Sequence, residues 1–321
     1  MRSTLAVILF ACFSLLSWSF AHAQSGAKRP IRLLVGSPPG GPSDTQARLV
    51  VPRMSEILGH SIIVDNRPSN NGVVANEIAA RAAPDGYTLI VGNSGTHAVN
   101  QTLYKSLPYD CIKDFAPITQ FSTTGLVLAA NPRLPANTIP ELAAYAKKEP
   151  GKINIGIPGA TGQLAGDALW SMLGVKMNNI NYKGSSPSEI ALLSGEVDIV
   201  VLTPLAAMNH LSTGKLKALG MTSAERHPAL PNVPTVAEQG VTGYDFQFWN
   251  GMFAPARTPP ALVRKLNEAV VAALNSAEVT ERLMQMGLVK SANSPEAFAA
   301  IVKNDVERFR KVIIESGIPR M

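Results

Sequence analysis

The sequence predicts an α/β protein with largely parallel strands, and three observations carry that expectation. Short runs of branched apolar residues, each of strand length, alternate along the chain with stretches of helical periodicity. Strands separated by helices need right-handed crossovers, which lay the strands side by side and parallel. The turns leaving those strands are rich in glycine and small polar residues, and open sheets of this kind bind ligands at the carboxyl ends of their strands.

The most informative stretch comes early. Ile31–Val35 reads as a strand and enters Gly36-Ser37-Pro38-Pro39-Gly40-Gly41-Pro42-Ser43-Asp44; a helical pattern follows over residues 45–58 and stops at Gly59. Ser43 and Asp44 are good N-cap residues. A turn of this composition leaves N–H groups unpaired at the positive end of a helix, which suits an anion. Neither Gly-x-Gly-x-x-Gly nor a Lys-Ser/Thr phosphate loop is present, so the stretch is read as a pocket for a small carboxylate rather than a nucleotide. A plain connection is the competing reading.

The remaining elements follow in order. Residues 61–66 form a strand, 67–72 a loop, 73–82 a helix closed by Pro84-Asp85-Gly86, and 87–92 a strand leaving through Asn93-Ser94-Gly95-Thr96-His97. Residues 126–130 are a strand, 139–148 a helix, and 152–157 a strand whose exit, Pro158-Gly159-Ala160-Thr161-Gly162-Gln163, leads to a helix over 164–173. A short strand at 179–182 enters Lys183-Gly184-Ser185-Ser186-Pro187, a helix takes 188–193, and 197–202 is a buried strand ending at Thr203-Pro204. A strand at 216–221 and a short helix at 236–239 precede an extended, aromatic-rich segment over 244–253. Leu262, Leu266, Val270 and Leu274 mark a helix face, and the last helix runs over 295–316 with Phe298, Ile301, Val302, Val306, Phe309 and Ile313 on one side. These closing helices are read as packing without chemistry.

Arg2, the apolar run over residues 5–20 and Ala21-His22-Ala23 form a signal peptide with cleavage after Ala23, so the mature chain is expected in the periplasm. About 300 remaining residues suit two ordinary domains. Cys111 is then the lone cysteine, which excludes an internal disulfide. The net charge of +6 is scattered, without a basic run interleaved with aromatics, so nucleic acid is not an expected partner.

Catalysis finds little support. His97, His210 and His227 lie far apart, and neither His-Glu-x-x-His nor Gly-x-Ser-x-Gly occurs, so no metal and no cofactor is called for. A hydrolase of small esters or amides would need Ser94 or Ser37 beside His97. Asp44 and Asp198 are candidate carboxylates for acid–base work or, more simply, a helix cap and a backbone acceptor. Lys183 is a candidate for neutralising a ligand carboxylate, and Trp249 for walling the cleft or filling the core.

A series of motifs spans the mature chain: Pro38-Pro39-Gly40-Gly41-x-x-Asp44, Asn66-Arg67-Pro68, Pro84-Asp85-Gly86-Tyr87-Thr88-Leu89, Gly95-Thr96-His97, Lys113-Asp114-Phe115, Pro150-Gly151-Lys152, Tyr182-Lys183-Gly184, Val233-Pro234-Thr235 and Trp249-x-Gly251. It resembles the receptors of tripartite tricarboxylate transporters, the Bug or TctC-like solute-binding proteins. The resemblance implies a two-lobed periplasmic binding fold of type II, each lobe a mixed, mostly parallel sheet flanked by helices. Lobe one would take 24–125 and 238–321, and lobe two 126–237. It implies a non-enzymatic receptor closing on a small organic carboxylate (a di- or tricarboxylate, an amino acid or an aromatic acid) for a membrane permease, or a sensor using the same clamp. The expected ligand contacts are Ser37, Gly41, Ser43 and Asp44 on one wall and Ser94, Thr96 and His97 on the next. Gly159, Thr161 and Gln163 face them, with Tyr182, Lys183, Gly184, Asp198 and Thr203 at the rim. Ser37 stands where this family usually has Phe or Tyr, Gln163 where His is frequent, and Cys111 where proline is common.

Overall fold

The computed structural model describes residues 29–158, 160–182, 185–315 and 320–321, with residues 160 and 161 described by their backbone alone. The expected signal peptide, Gly159, Lys183, Gly184 and the side chain of Thr161 lie outside the described residues. Two mixed sheets organise the rest. The first has the order β11 (Val289–Lys290), β4 (Phe115–Gly125), β10 (Gln247–Pro255), β3 (Thr88–Asn93), β1 (Ile31–Val35), β2 (Ile62–Asn66). The second has the order β7 (Asn178–Asn181), β6 (Asn154–Ile157), β8 (Ile199–Leu202), β5 (Val127–Ala130), β9 (Lys217–Met221).

Most strands of each sheet share one direction. In the first sheet β10 and β11 run against the others, and in the second β5 does. The chain leaves the first sheet where β4 ends at Gly125 and β5 begins at Val127, and it returns between β9 and β10. The two crossings lie side by side. Buried Thr222 donates its N–H to Leu126 O (2.8 Å) and its hydroxyl to Phe246 O (2.7 Å), and accepts from Leu126 N (2.7 Å).

Helices cover the sheets: α1 (Pro42–Leu58), α2 (Val73–Ala80), α3 (Asn100–Leu103), α4 (Ile139–Lys148), α5 (Ala160–Leu173), α6 (Ser185–Ser194), α7 (Pro204–Ser212), α8 (Pro260–Leu274), α9 (Ala277–Gln285) and α10 (Pro295–Glu315). Gly41 is the N-cap of α1, with Pro42 in the first turn, so neither Ser43 nor Asp44 caps it as expected; Gly59 closes it with φ 63°.

Strand β4 escaped the sequence reading because it is polar yet buried. Thr119, Gln120, Ser122 and Thr124 are all buried, and each side chain has a partner: Thr119 on Asn293 O (2.7 Å), Ser122 on Gln46 Oε1 (2.7 Å), Gln120 with Asn293 and Ser291, Thr124 on Gly287 O (3.2 Å). Pro117 in this strand sits beside a register shift against Met252 and Phe253, where a missing N–H is tolerated. Helix α10 also differs from expectation. Its inner side carries buried Asp305, which accepts from Trp249 Nε1 (2.7 Å) and pairs with Arg308 (2.8 Å). Burial raises the Asp305 carboxyl above its ordinary range despite those partners. Trp249 is therefore a core residue.

Candidate functional site

A cleft of about 290 Å³ opens at the carboxyl ends of β1, β2 and β3 and is faced by Leu164 of α5 from the second sheet. Its walls are Gly36, Ser37 and Pro38 after β1, Ser43 of α1, Ser69, Asn71 and Gly72 after β2, Val91, Asn93, Gly95 and Thr96 along and after β3, and Val99, Asn100 and Leu103. Among the described residues every lining side chain is neutral.

The loop after β1 is held by Asp44. Its buried carboxylate accepts from Gly40 N (2.8 Å), Arg48 Nε (3.0 Å) and Asn66 Nδ2 (2.9 Å), while the same Asn66 amide donates to Ser37 O (3.0 Å). Burial works against its charge, but the bonds from Arg48, Gly40 and Asn66 outweigh it and hold the carboxyl below the usual carboxylate range. Asp44 therefore points into its own loop and not into the cleft. Asp44→Ala should cost about 2 kcal/mol of stability, because it strands the Gly40 and Asn66 donors. Urea unfolding checks this, and an unchanged midpoint would show that the clip contributes nothing. Ser43 does line the cleft; its hydroxyl donates to Asn250 Oδ1 (2.7 Å) and accepts from Asn93 Nδ2 (3.4 Å), tying α1 to β10 and β3. The buried Ser37 hydroxyl oxygen has no partner among the described residues.

After β2 the backbone turns through Asn71 (φ 47°) and Gly72 (φ 68°), and Gly36 passes so close that a Cβ there would sit 3.0 Å from Gly72 Cα. Asn71 O accepts from Asn100 Nδ2 (3.0 Å), and Asn71 Nδ2 donates to the Tyr104 hydroxyl (3.2 Å). After β3, Asn93 Oδ1 accepts from Thr96 N (3.0 Å), and Thr96 Oγ1 accepts from Asn93 N (3.0 Å). This reciprocal pair shapes the turn that continues as a π-helical segment, Gly95–Val99.

His97 lies beneath that turn with no exposed surface. Its ring stacks on Phe253 (4.0 Å between centroids, 12° between planes), meets the edge of Phe115 (4.5 Å), and shares a hydrogen bond of 2.9 Å between Nδ1 and Thr96 Oγ1. Burial lowers its pKa to about 3, so the ring is neutral at physiological pH. No serine hydroxyl bonds to it among the described residues, and the Ser–His pair of a hydrolase is not assembled. His97 is a prop for the turn, away from the cleft surface. Ser94 is buried at the start of the same turn, and Gly41 backs the first loop through Gly41 N to Pro38 O (3.1 Å).

The second sheet keeps its expected residues busy elsewhere. Gln163 lies in the first turn of α5 and is not part of the cleft lining. The Tyr182 hydroxyl donates to Glu196 (2.7 Å), which, with burial, pushes the phenol up to about 12. Asp198 precedes β8 and accepts from Asn154 N (2.8 Å), at the amino end of the strand and so opposite the cleft end. Thr203 caps α7 by accepting from Ala206 N (3.4 Å). Of the described candidates, Ser37, Ser43 and Thr96 line the cleft. Sequence reasoning missed Ser69, Asn71, Asn93 and Asn100. The Asn70-Asn71-Gly72 turn is a strand exit like the others, so the argument used for its neighbours would have found it.

Comparison with known proteins places this geometry among relatives. Residues 46–318 match the family model described as tripartite tricarboxylate transporter family receptor. The protein BugT of Bordetella pertussis is 32% identical over 298 residues, covering 92% of this chain and 91% of that one. Two solved structures from Rhodopseudomonas palustris are each 33% identical. Rpa4515 with adipate has a TM-score of 0.75 and covers 92% of this chain and 100% of that one. MatC with bound malate has a TM-score of 0.72 and covers 89% and 99%.

Proposed function

The chain belongs to the tripartite tricarboxylate transporter receptor family, and from that premise we propose that it is an exported receptor that closes two lobes on a small organic diacid for uptake through a membrane permease. The observation that carries this reading is the neutral, donor-lined cleft at the strand ends, fronted by the first turn of α1. A carboxylate there would be held by hydroxyls, side-chain amides and helix N–H groups instead of a fixed cation. The Ser37 hydroxyl, buried without a partner among the described residues, offers a donor to a ligand. Adipate and malate in the solved relatives support a short diacid as the ligand class.

In this reading the lobes comprise residues 24–125 with 238–321, and 126–237, joined by the paired crossings at Thr222. Ser37, Ser43, Ser69, Asn71, Asn93 and Thr96 contact the ligand from the first lobe. Leu164 faces them from the second lobe, and cleavage after Ala23 releases the mature receptor into the periplasm.

Thermal unfolding of the mature protein against adipate, malate, tricarboxylates, amino acids and aromatic acids tests the proposal. A ligand at a hundred times its Kd should stabilise by about 2.7 kcal/mol. Asn93→Ala removes the residue that joins the β3 turn to Ser43, and it should weaken that ligand at least about tenfold. Recovery of the acid chemically altered would replace the receptor by an enzyme. No shift with any acid, and no acid released on denaturation, would discard the ligand class.

A further inference from the structure

The last two described residues lie against the wall of the cleft. Arg320 donates through Nε to Thr102 O (2.7 Å) and through Nη2 to Tyr104 O (3.0 Å). Met321 N donates to Leu103 O (2.8 Å), and Lys105 N donates to Met321 O (2.8 Å). These four bonds close over the end of α3, a four-residue helix that carries Asn100 and Leu103 into the cleft lining.

This helix is the last turn of a helical run that continues from Gly95–Val99, and its final carbonyls have no partners within the helix. An arginine at a helix carboxyl end satisfies such carbonyls and complements the dipole. The gripped strip also governs the neighbouring wall. Tyr104, whose carbonyl Arg320 holds, accepts from Asn71 Nδ2 through its hydroxyl, and Asn100 donates to Asn71 O. Asn71 sits at φ 47°, a left-handed conformation that needs such outside support in a residue other than glycine.

We infer that Arg320 and Met321 are positioning residues of the binding site: clamped on 102–105, they set Asn100, Leu103 and Asn71 in the geometry that receives the ligand. The inference rests on the cleft being the carboxylate site. Without the clamp, ligand must order the strip at the expense of affinity, while the sheets beneath are untouched.

Two readouts on one variant set test this. In Arg320→Ala, amide hydrogen exchange over 100–105 in the free protein should rise roughly tenfold or more, with β1 and β3 unchanged. The Kd for adipate or malate, whichever the parent protein binds, should rise roughly three- to tenfold. Arg320→Lys, which keeps a cation but loses the fork, should fall between. Arg53→Ala, which removes an exposed pair with Glu56 away from the clamp, should change neither. Unchanged exchange over 100–105 would overturn the clamp, and faster exchange at unchanged Kd would overturn its role in binding. If the parent protein binds no acid, the receptor reading fails by itself, and the exchange experiment still decides whether the clamp exists.

Discussion

Gly92→Ala is expected to remove about 4 kcal/mol of stability or more, enough to unfold much of the population. Gly92 on β3 is paired directly with Gly251 on β10, so the two adjacent strands share a bare patch on one face of the first sheet. Aromatic rings fill that patch down to the backbone. A Cβ on Gly92 would enter the His97 ring and come within 2.8 Å of Phe253 Cε2. Neither ring has room to retreat. Both are fully buried, they stack on each other, and His97 is also tied to Thr96. Gly251 repeats the pattern, since its Cβ would lie 2.6 Å from Phe298 Cε1 and 2.8 Å from Thr119 O. The comparison variant is Gly162→Ala on α5, where the first neighbour lies at 3.4 Å and alanine favours the helix. Denaturant midpoints should drop steeply for the first and hold or rise slightly for the second. A Gly92→Ala protein as stable as its parent would show that the stack can shift, and the rigidity ascribed to the turn above it would be lost.

Acid should destabilise this protein through His97 as the pH falls below 6.5. The unfolded chain protonates this imidazole as the pH falls through 6.5, but in the fold burial lowers the value to about 3. The folded state therefore binds fewer protons across that window. The stability tied to the neutral ring is complete above pH 6.5 and is lost progressively as the pH falls toward 3. At about pH 4.5 the loss should be ~2.7 kcal/mol, two units below the unfolded value. Burial lowers the pKa of His227 as well, so it contributes in the same direction. His97→Gln isolates the effect, because glutamine can still share a hydrogen bond with Thr96 and does not titrate. The stability difference between about pH 7.5 and 4.5 should shrink in this variant by the amount assigned to His97. An equal acid loss in parent and variant would move the origin of the effect elsewhere.

Much of the architecture was legible along the chain because it is written in local chemistry. Branched runs, glycine–proline turns and helical periodicity identified β1, β3, β8, α1, α8 and α10 near their observed bounds. The exits after β1 and β3, rich in glycine and small polar residues, both line the cleft. Helix α7 is legible in the sequence too. Thr203 and Pro204 are a cap and first-turn pair that announces a helix. Strand β4 was not legible, since its buried side chains are hydroxyls and amides satisfied by Gln46, Gly287, Ser291 and Asn293 from distant segments.

What the sequence by itself determined was therefore where most strands and helices lie and which turns stand at the strands' carboxyl ends. The tertiary structure alone decided where each polar group in those turns is spent. Asp44 and Ser43 are neighbours on α1, yet one is consumed by Gly40, Arg48 and Asn66 while the other faces the cleft with Asn250 behind it. His97 sits one residue from Thr96 and is sealed under Phe253. A hydroxyl, carboxylate or imidazole near a strand end must find a partner, and whether that partner is backbone, core or ligand depends on residues up to two hundred positions away, brought within hydrogen-bonding distance only by the fold.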